Sequence, residues 1–527
     1  TIALWGRGLM LAPLSVSLVA LFTEYAHAQV VRFAKAYGGT NYDRALSVQQ
    51  TSDGGYIVAG VTRSFGVGPG DILLIKTDAY GNVQWAKTYG GTVSEWAHSV
   101  QQTSDGGYIV AGYTTSFGAG NWDFILIKTN SLGNVEWART YGGVNHDEAF
   151  SVRQTSDGGY IVAGYTASFG AGGDILLIKT YSNGNVQWVK YYGGTNSDGA
   201  HSVQQTSDGG YIVAGYTRSF GAGNRDFILI KTNSLGNVEW ARTYGGADHD
   251  VASSVRQTSD GGYIVAGITW SWFSGGEILL IKTNSSGNLQ WARTYRTNVT
   301  EGVGSVQQTS DGGYMVVSTI YPVGGGSAFL LIKTDINGNI QWARTYYYST
   351  EIAFSAQQTS DGGYIMVGST YSFGAGSEDI LLIKTKADGD IESCLLVRDV
   401  SVTVGTPSLT VTTPSVSSYP PTLSISSPSL TVGSPTLAIN VPCPLSDDNE
   451  LGISESCKPA SGLITPYKGG IKITKSGEFE VKVYNVSGVM VKSIKGKDEV
   501  KLELSRGVYF VEVISGGKVI REKVVIR

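Results

Sequence analysis

Leu46 to Tyr89 reads LSVQQTSDGGYIVAGVTRSFGVGPGDILLIKTDAYGNVQWAKTY. Four runs in it are of strand length and rich in β-branched or aromatic residues: LSVQQT, GYIVAGVT, DILLIKT and NVQWAKTY. Between them stand SDGG, RSFGVGPG and DAYG, where Gly and Asp supply turns. The pattern then returns. TSDGGY begins at Thr51, Thr103, Thr155, Thr206, Thr258, Thr309 and Thr359, at spacings of 52, 52, 51, 52, 51 and 50 residues. An internal repeat with four strands per unit decides the fold class before any other feature does.

Units of about 50 residues with four strands have the size of propeller blades; a β-solenoid needs shorter coils, and separate sandwich domains need longer units. The strand count predicts how the ring closes. The fourth run follows Gly81, Gly133, Gly184, Gly236, Gly287 and Gly338, and GDIESC stands where a seventh copy is due. That copy lies near the start of the chain, in VVRFAKAYGG, with Phe33 in the place of Trp85. The reading is all-β: a seven-bladed β-propeller over residues 29–393, closed by its N-terminal strand so that no edge is left unpaired.

The composition agrees. Glycine fills 71 of 527 positions and charged residues only 16%, beside 30 Tyr and 11 Trp, which excludes a coiled coil and a highly charged disordered chain. A net charge of −4 argues against a nucleic-acid surface. Three cysteines are too few for a disulfide scaffold and lack zinc-ligand spacing.

Residues that recur in every unit are read as structural. The six fourth-run tryptophans, with Phe33, should wedge between neighbouring blades. The aspartates of SDGG (Asp53, Asp105, Asp157, Asp208, Asp260, Asp311 and Asp361) should accept turn amide hydrogens while the glycines take positive φ. This turn resembles the Asp-box hairpin of sialidase-like propellers, but the tryptophan that normally follows that motif is missing, so no activity is implied. Ten residues before each turn aspartate stands a carboxylate: Asp43, Glu95, Asp147, Asp198, Asp250, Glu301 and Glu351. Every third run carries a lysine: Lys76, Lys128, Lys179, Lys231, Lys282, Lys333 and Lys384. A lysine among isoleucines and leucines needs a partner, and the carboxylate ring is the obvious one. The alternative for that ring is a cation-binding annulus at one mouth of the channel.

A ligand without seven-fold symmetry needs residues that break the pattern. The loop between second and third runs varies most: GAGNWD at Trp122, GAGNRD at Arg225, TWSWFSGG around Trp270, Trp272 and Phe273, and IYPVGGGSA around Tyr321. Trp122, Arg225, Trp270, Trp272 and Tyr321 are therefore candidate ligand-binding residues on one rim, where aromatic planes suit sugar rings. The recurring Phe65, Phe117, Phe169, Phe220 and Phe373 are read as plugs between blade edges. His98 and His201 share one repeat position, His146 and His249 another, without zinc-site spacing. His146-Asp147-Glu148 is the one cluster worth naming for glycoside chemistry, and its aspartate belongs to the ring. No catalytic residue, metal or cofactor is expected.

The remaining segments concern export and linkage. Residues 1–28 read as a signal peptide: Arg7, an apolar run from Leu9 to Phe22 too short for a bilayer span, and Ala26-His27-Ala28 as a cleavage pattern. No other stretch approaches membrane-spanning length. In 394–446, prolines at 407, 414, 421, 428, 435 and 442 mark heptads. A straight strand would flip its apolar face at each heptad, so the segment either turns once per heptad or extends as a stalk. Cys394 and Cys443 bracket it and would pair in an oxidising exterior, folding it into an appendage. A linker, 447–462, leads to a small β-sandwich over 463–527 with alternation in Gly477–Ile494 and Gly507–Ile526.

VKVYNVSGVMVKSI (Val481 to Ile494) and LSRGVYFVEVISGGKVIREKVVI (Leu504 to Ile526) resemble the type A sorting domain of the bacterial type IX secretion system. CKPASGLITPY stands where that family usually opens with asparagine-proline. The whole resembles secreted bacterial proteins that join propeller repeats to such a tail. The resemblance implies handling by the type IX machinery and a secreted or outer-surface location. It leaves two functions open: a non-catalytic binding or scaffold module for adhesion or self-association, and a glycan-binding lectin or polysaccharide-acting enzyme.

Overall fold

In the first repeat, Asp43–Gln50, Tyr56–Thr62, Asp71–Thr77 and Val83–Gly90 form an antiparallel sheet in chain order. The computed structural model describes residues 32–297, 300–321 and 326–391. Beyond these it describes 397–400, 402–412, 417–419, 424–426, 431–433, 438–443, 464–467, 470–485, 490–504, 507–515 and 518–526. The expected signal peptide, the linker at 447–462 and Cys394, with its pairing to Cys443, lie outside the described residues. Every described element is a strand, and two units are separated between Pro444 and Leu445.

The turn chemistry that repeats in the sequence repeats in space. Asp53 Oδ1 accepts from Thr51 Oγ1 (2.5 Å) and the Gly55 amide (3.0 Å), while Gly54 takes φ 83°. That φ favours glycine, and the hairpin is closed by the Thr51 amide donating to Gly55 O and the Gly54 amide donating to Thr51 O, both at 2.9 Å. Because the strands alternate in direction, the end of the third strand arrives beside this turn. Lys76 Nζ there donates to Asp53 Oδ2 (2.8 Å), Thr77 O (2.8 Å) and Gln84 Oε1 (3.0 Å). The same lysine–aspartate pair recurs in all seven repeats. The carboxylate ring is therefore not the lysine partner, because it lies at the other end of the strands.

The last repeat has three strands of its own, Glu351–Gln358, Tyr364–Thr370 and Asp379–Thr385. Its fourth is Phe33–Gly38, antiparallel to the third, with Phe33 opposite Lys384 and Tyr37 opposite Ile380. Neighbouring sheets bury aliphatic faces against each other. Ile57, Ala59, Ile72 and Leu74 of the first repeat pack on Val100, Val110, Ile125 and Ile127 of the second. Each large aliphatic side chain so buried contributes about 1.5–3 kcal/mol. Phe33 and the six tryptophans do meet the next repeat: each ring contacts the tyrosine of its neighbour's TSDGGY, at 5.6–6.1 Å between centroids.

Two series of hydrogen bonds link the repeats in order. The fourth-strand tyrosine hydroxyl donates to a glycine carbonyl in the next repeat, as in Tyr89 to Gly133, and Tyr37 does so to Gly81. The turn serine amide donates to a glutamine of the next repeat, as in Ser52 to Gln102, and Ser360 does so to Gln50, at 2.8 Å in both. The last repeat thus touches the first by the same bonds that join the others.

The heptad segment is a set of fifth strands. Val397–Asp399, Thr403–Gly405, Thr410–Thr412, Ser417–Tyr419, Ser424–Ser426, Thr431–Gly433 and Ala438–Cys443 pair antiparallel with successive fourth strands, in reverse order of the repeats. The sequence of partners starts at Ile340–Tyr346 and ends at Phe33–Gly38. The segment is neither an extended stalk nor a separate appendage, and it belongs to the first unit. Its odd period is no obstacle, because each triplet serves a different sheet and no common face is needed. Between Thr403–Gly405 and Thr410–Thr412, the four residues 406–409, including Pro407 without an amide donor, carry the chain to the next sheet, a reach of about 13 Å.

The second unit is one antiparallel sheet, Ile464–Tyr467, Gly470–Asn485, Gly507–Ser515 and Lys518–Ile526, with Met490–Glu503 also on Gly470–Asn485. A bulge between Lys475 and Glu478 lets Gly470–Asn485 serve both halves, so a single hydrogen-bonded sheet stands where two were expected. Ile473, Phe479, Val481, Val483, Val500, Leu502, Val511 and Val513 form its core.

Candidate functional site

The first strand of each repeat opens with the ring carboxylate, and its burial comes from the loops around it. Asp43 accepts from the Gly39 amide (2.7 Å), Ser64 Oγ (2.6 Å) and Thr62 Oγ1. Glu95, Asp147, Asp198, Asp250 and Glu351 are as fully buried, while the Glu301 side chain lies outside the described residues. A second carboxylate, opening the third strand of the preceding repeat, stands beside five of them. The pairs are Asp71 with Glu95, Asp123 with Asp147, Asp174 with Asp198, Asp226 with Asp250, and Asp379 with Asp43.

A glycine separates each pair: Gly90, Gly142, Gly193, Gly245 and Gly38. A β-carbon there would come within 1.6–2.1 Å of one carboxylate and 2.7–2.9 Å of the other, so any larger residue would force the pair to move. Oδ1 of Asp123, Asp174, Asp226 and Asp379 accepts no hydrogen bond. Burial, with the facing carboxylate adding to it, pushes Asp123 to about 6, Asp174 to about 7 and Asp379 to about 6. Burial and the facing charge together favour the protonated form of one carboxyl in each pair. Among the described residues no three potential ligand side chains converge as a metal site requires.

The repeat pattern breaks two steps along the same strands. One residue after the ring carboxylate stand Arg44, Trp96, Glu148, Gly199, Val251, Gly302 and Ile352. Three residues after it stand Leu46, His98, Phe150, His201, Ser253, Gly304 and Phe354. The large members make a continuous aromatic surface across the first four repeats. Trp122 is stacked between Tyr113 (4.2 Å, 6°) and His146 (4.0 Å, 25°). Tyr113 also stacks on Trp96 and lies near His98, which touches Phe150, which touches His201, which touches Tyr216. Arg225 covers Tyr216 at 4.7 Å. His98 Nε2 lies 2.9 Å from Glu148 Oε1, within ion-pair distance but without hydrogen-bond alignment. His201 Nδ1 is 3.0 Å from Ala252 O, and burial lowers its pKa. Arg44 is held by Glu378 at 2.7 Å, and Glu378 also accepts from Tyr371. On the side of the fifth and sixth repeats the same positions are small, and a β-carbon at Gly302 would meet open space.

The structure brings Trp122 and Arg225 into this surface, and among the described residues no ring contact joins Trp270 or Trp272 to it. With both faces covered, Trp122 offers no plane to a sugar. Trp272 lies against Gly246 as Phe65, Phe117, Phe169 and Phe220 lie against Gly39, Gly91, Gly143 and Gly194. It therefore fills a plug position, although 36% exposed. Arg296 covers the adjacent Phe273 at 4.8 Å. Sequence reasoning missed Arg44, Trp96, Tyr113 and Phe150, and it weighed His98, His201 and Glu148 only as zinc or glycoside candidates. The available signal was variation at a fixed register inside near-identical strands.

Residues 465–527 match the family described as secretion system C-terminal sorting domain. The regulatory protein FlaEY of Caulobacter vibrioides is 24% identical over 312 residues, 54% of this chain. The match spans 31% of that protein's length. Among solved structures, Sqt1 from Chaetomium thermophilum is similar at a TM-score of 0.40 and 8% identity, covering 67% of this chain and 98% of that one. No described helix is long and apolar enough to cross a membrane. The C-terminal unit is a type IX sorting domain, and the protein that carries it is secreted or attached to the outer surface.

Proposed function

We propose that residues 29–443 form a closed seven-bladed β-propeller that serves outside the cell as a non-catalytic binding or scaffold module. The cyclic tyrosine and glutamine bonds support the closed ring. The binding role rests on one observation. A frame repeated almost residue for residue departs from its pattern on one face, where Trp96, His98, Glu148, Phe150 and His201 stand opposite Gly302 and Gly304. Such one-sided variation suits a ligand that lacks the symmetry of its host.

A cell-surface glycan is the ligand this face suits best, since imidazole, carboxylate and indole edges offer hydrogen bonds around an apolar floor. Self-association is the competing outcome. Glycan-array binding by the full chain, lost in His98→Ala and Glu148→Ala but kept in Trp272→Ala, would support the inner face. Loss in Trp270→Ala and Trp272→Ala alone would move the site to the rim, and release of reducing sugar would make the protein an enzyme. Absence of glycan binding with concentration-dependent oligomers by ultracentrifugation would support the scaffold role instead.

A further inference from the structure

The last residues of the first strands hold a second departure from the pattern, deeper than the first. Gln49, Gln101, Gln204, Gln307 and Gln357 perform one task there. Each side-chain carbonyl accepts the amide hydrogen of a glutamine in the next repeat, at 2.6–2.9 Å. The third and fifth repeats carry Arg153 and Arg256 at this position. A guanidinium has no acceptor, so these two positions cannot make that bond.

Among the described residues, the arginines gain no carboxylate in exchange. Arg153 Nη1 donates to Val152 O (2.8 Å) and, at 3.4 Å, to Ser99 Oγ. Arg256 Nη1 donates to Val255 O (2.7 Å) and, at 3.4 Å, to Ser202 Oγ. Both line one cavity of about 160 Å³ whose remaining walls are serine, valine, alanine and glutamine, with no acidic side chain or histidine. Burial lowers the pKa of each, and the charge of Arg153 lowers that of Arg256 further, so the two cations repel each other without a counter-charge. Two like charges set together among polar walls are costly unless an ion of opposite sign joins them.

We propose that this cavity is an anion-binding site in which the Arg153 and Arg256 guanidinium groups hold one small oxyanion, with neighbouring glutamine amides and serine hydroxyls completing its shell. The planar guanidinium fork matches tetrahedral and carboxylate oxyanions. The site stands independently of the aromatic face, and either can fail alone.

The test compares the full chain with Arg153→Gln/Arg256→Gln, which installs the residue five other repeats already carry and can restore the two missing bonds. Calorimetric titrations at constant ionic strength use sodium sulfate, sodium phosphate and sodium glucuronate in separate arms. The expected result is saturable one-site binding to the native chain, at least about tenfold weaker in the double variant. The double variant should melt no lower than the native chain in chloride alone. Preference for sulfate or phosphate identifies a free ion, and preference for glucuronate identifies an acidic sugar. Absence of saturable binding in all three arms, or equal affinity in both proteins, overturns the proposal.

Discussion

The two ends of a single third strand shift carboxylates in opposite directions. Asp123 opens the strand Asp123–Thr129 and Lys128 stands next to its end. At the opening end Asp123 faces Asp147 with no cation between them, and burial raises it to about 6. Beside the closing end, the slight burial of Asp105 is outweighed by bonds from Thr103, Lys128 and the Gly107 amide, which hold it at about 2. One residue type in one repeat has its pKa raised at one end and lowered at the other. Repetition alone does not assign a carboxylate its partner; strand direction does.

Gly142→Ala should have the largest effect, because its β-carbon would lie 1.9 Å from Asp123 Oδ1. A loss of more than about 4 kcal/mol, seen as absent soluble protein or a collapsed denaturation midpoint, is expected. A near-native midpoint would refute the tight pairing. Lys128→Met attacks the other end. It leaves Thr129 O without its donor and Asp105 without its cation, for an expected cost of about 1–2 kcal/mol in denaturant titration.

The third prediction concerns pH. Groups raised to about 6, 7 and 6, Asp123, Asp174 and Asp379, bind more protons folded than unfolded between about pH 4 and 7. Their contribution is therefore greatest below that window and is lost as pH rises through it. The turn aspartates lowered to about 2 act oppositely, and their contribution is lost as pH falls below about 4. Thermal midpoints should peak near pH 4–5 and decline toward pH 8. Asp174→Asn should flatten the decline and be at least as stable as the native chain at pH 8; an unchanged profile would count against the raised pKa. The smallest effect, about 1 kcal/mol, is expected for Tyr89→Phe, which removes a single hydroxyl bond to Gly133 O.

The frame was legible because its signals are local and repeated. TSDGGY, the glycine before each fourth run and the displaced copy at Phe33 are read within a few residues of themselves. The lysine partner was misjudged although antiparallel order contains the answer: the turn joining the first two strands must lie beside the end of the third. The heptads were illegible in a different way. A three-residue strand has no sequence signature, and its partner lies far away in the chain; the odd period was a clue only once seven recipient edges were known. At the site, loop variation drew attention to Trp270 and Trp272, while the decisive variation sat inside the first strands, where Trp96, Glu148 and His201 interrupt an otherwise regular alternation.

Phe33–Gly38 completes the sheet of the last repeat, and the heptad triplets pair with the fourth strands. Amide hydrogen–deuterium exchange of the full chain, read by mass spectrometry over peptides covering 33–38 and 403–433, tests both at once. Protection of 33–38 equal to that of the other fourth strands, with slowed exchange in the triplets, is the expected result. Exchange at the rate of an unstructured peptide in either segment would contradict it.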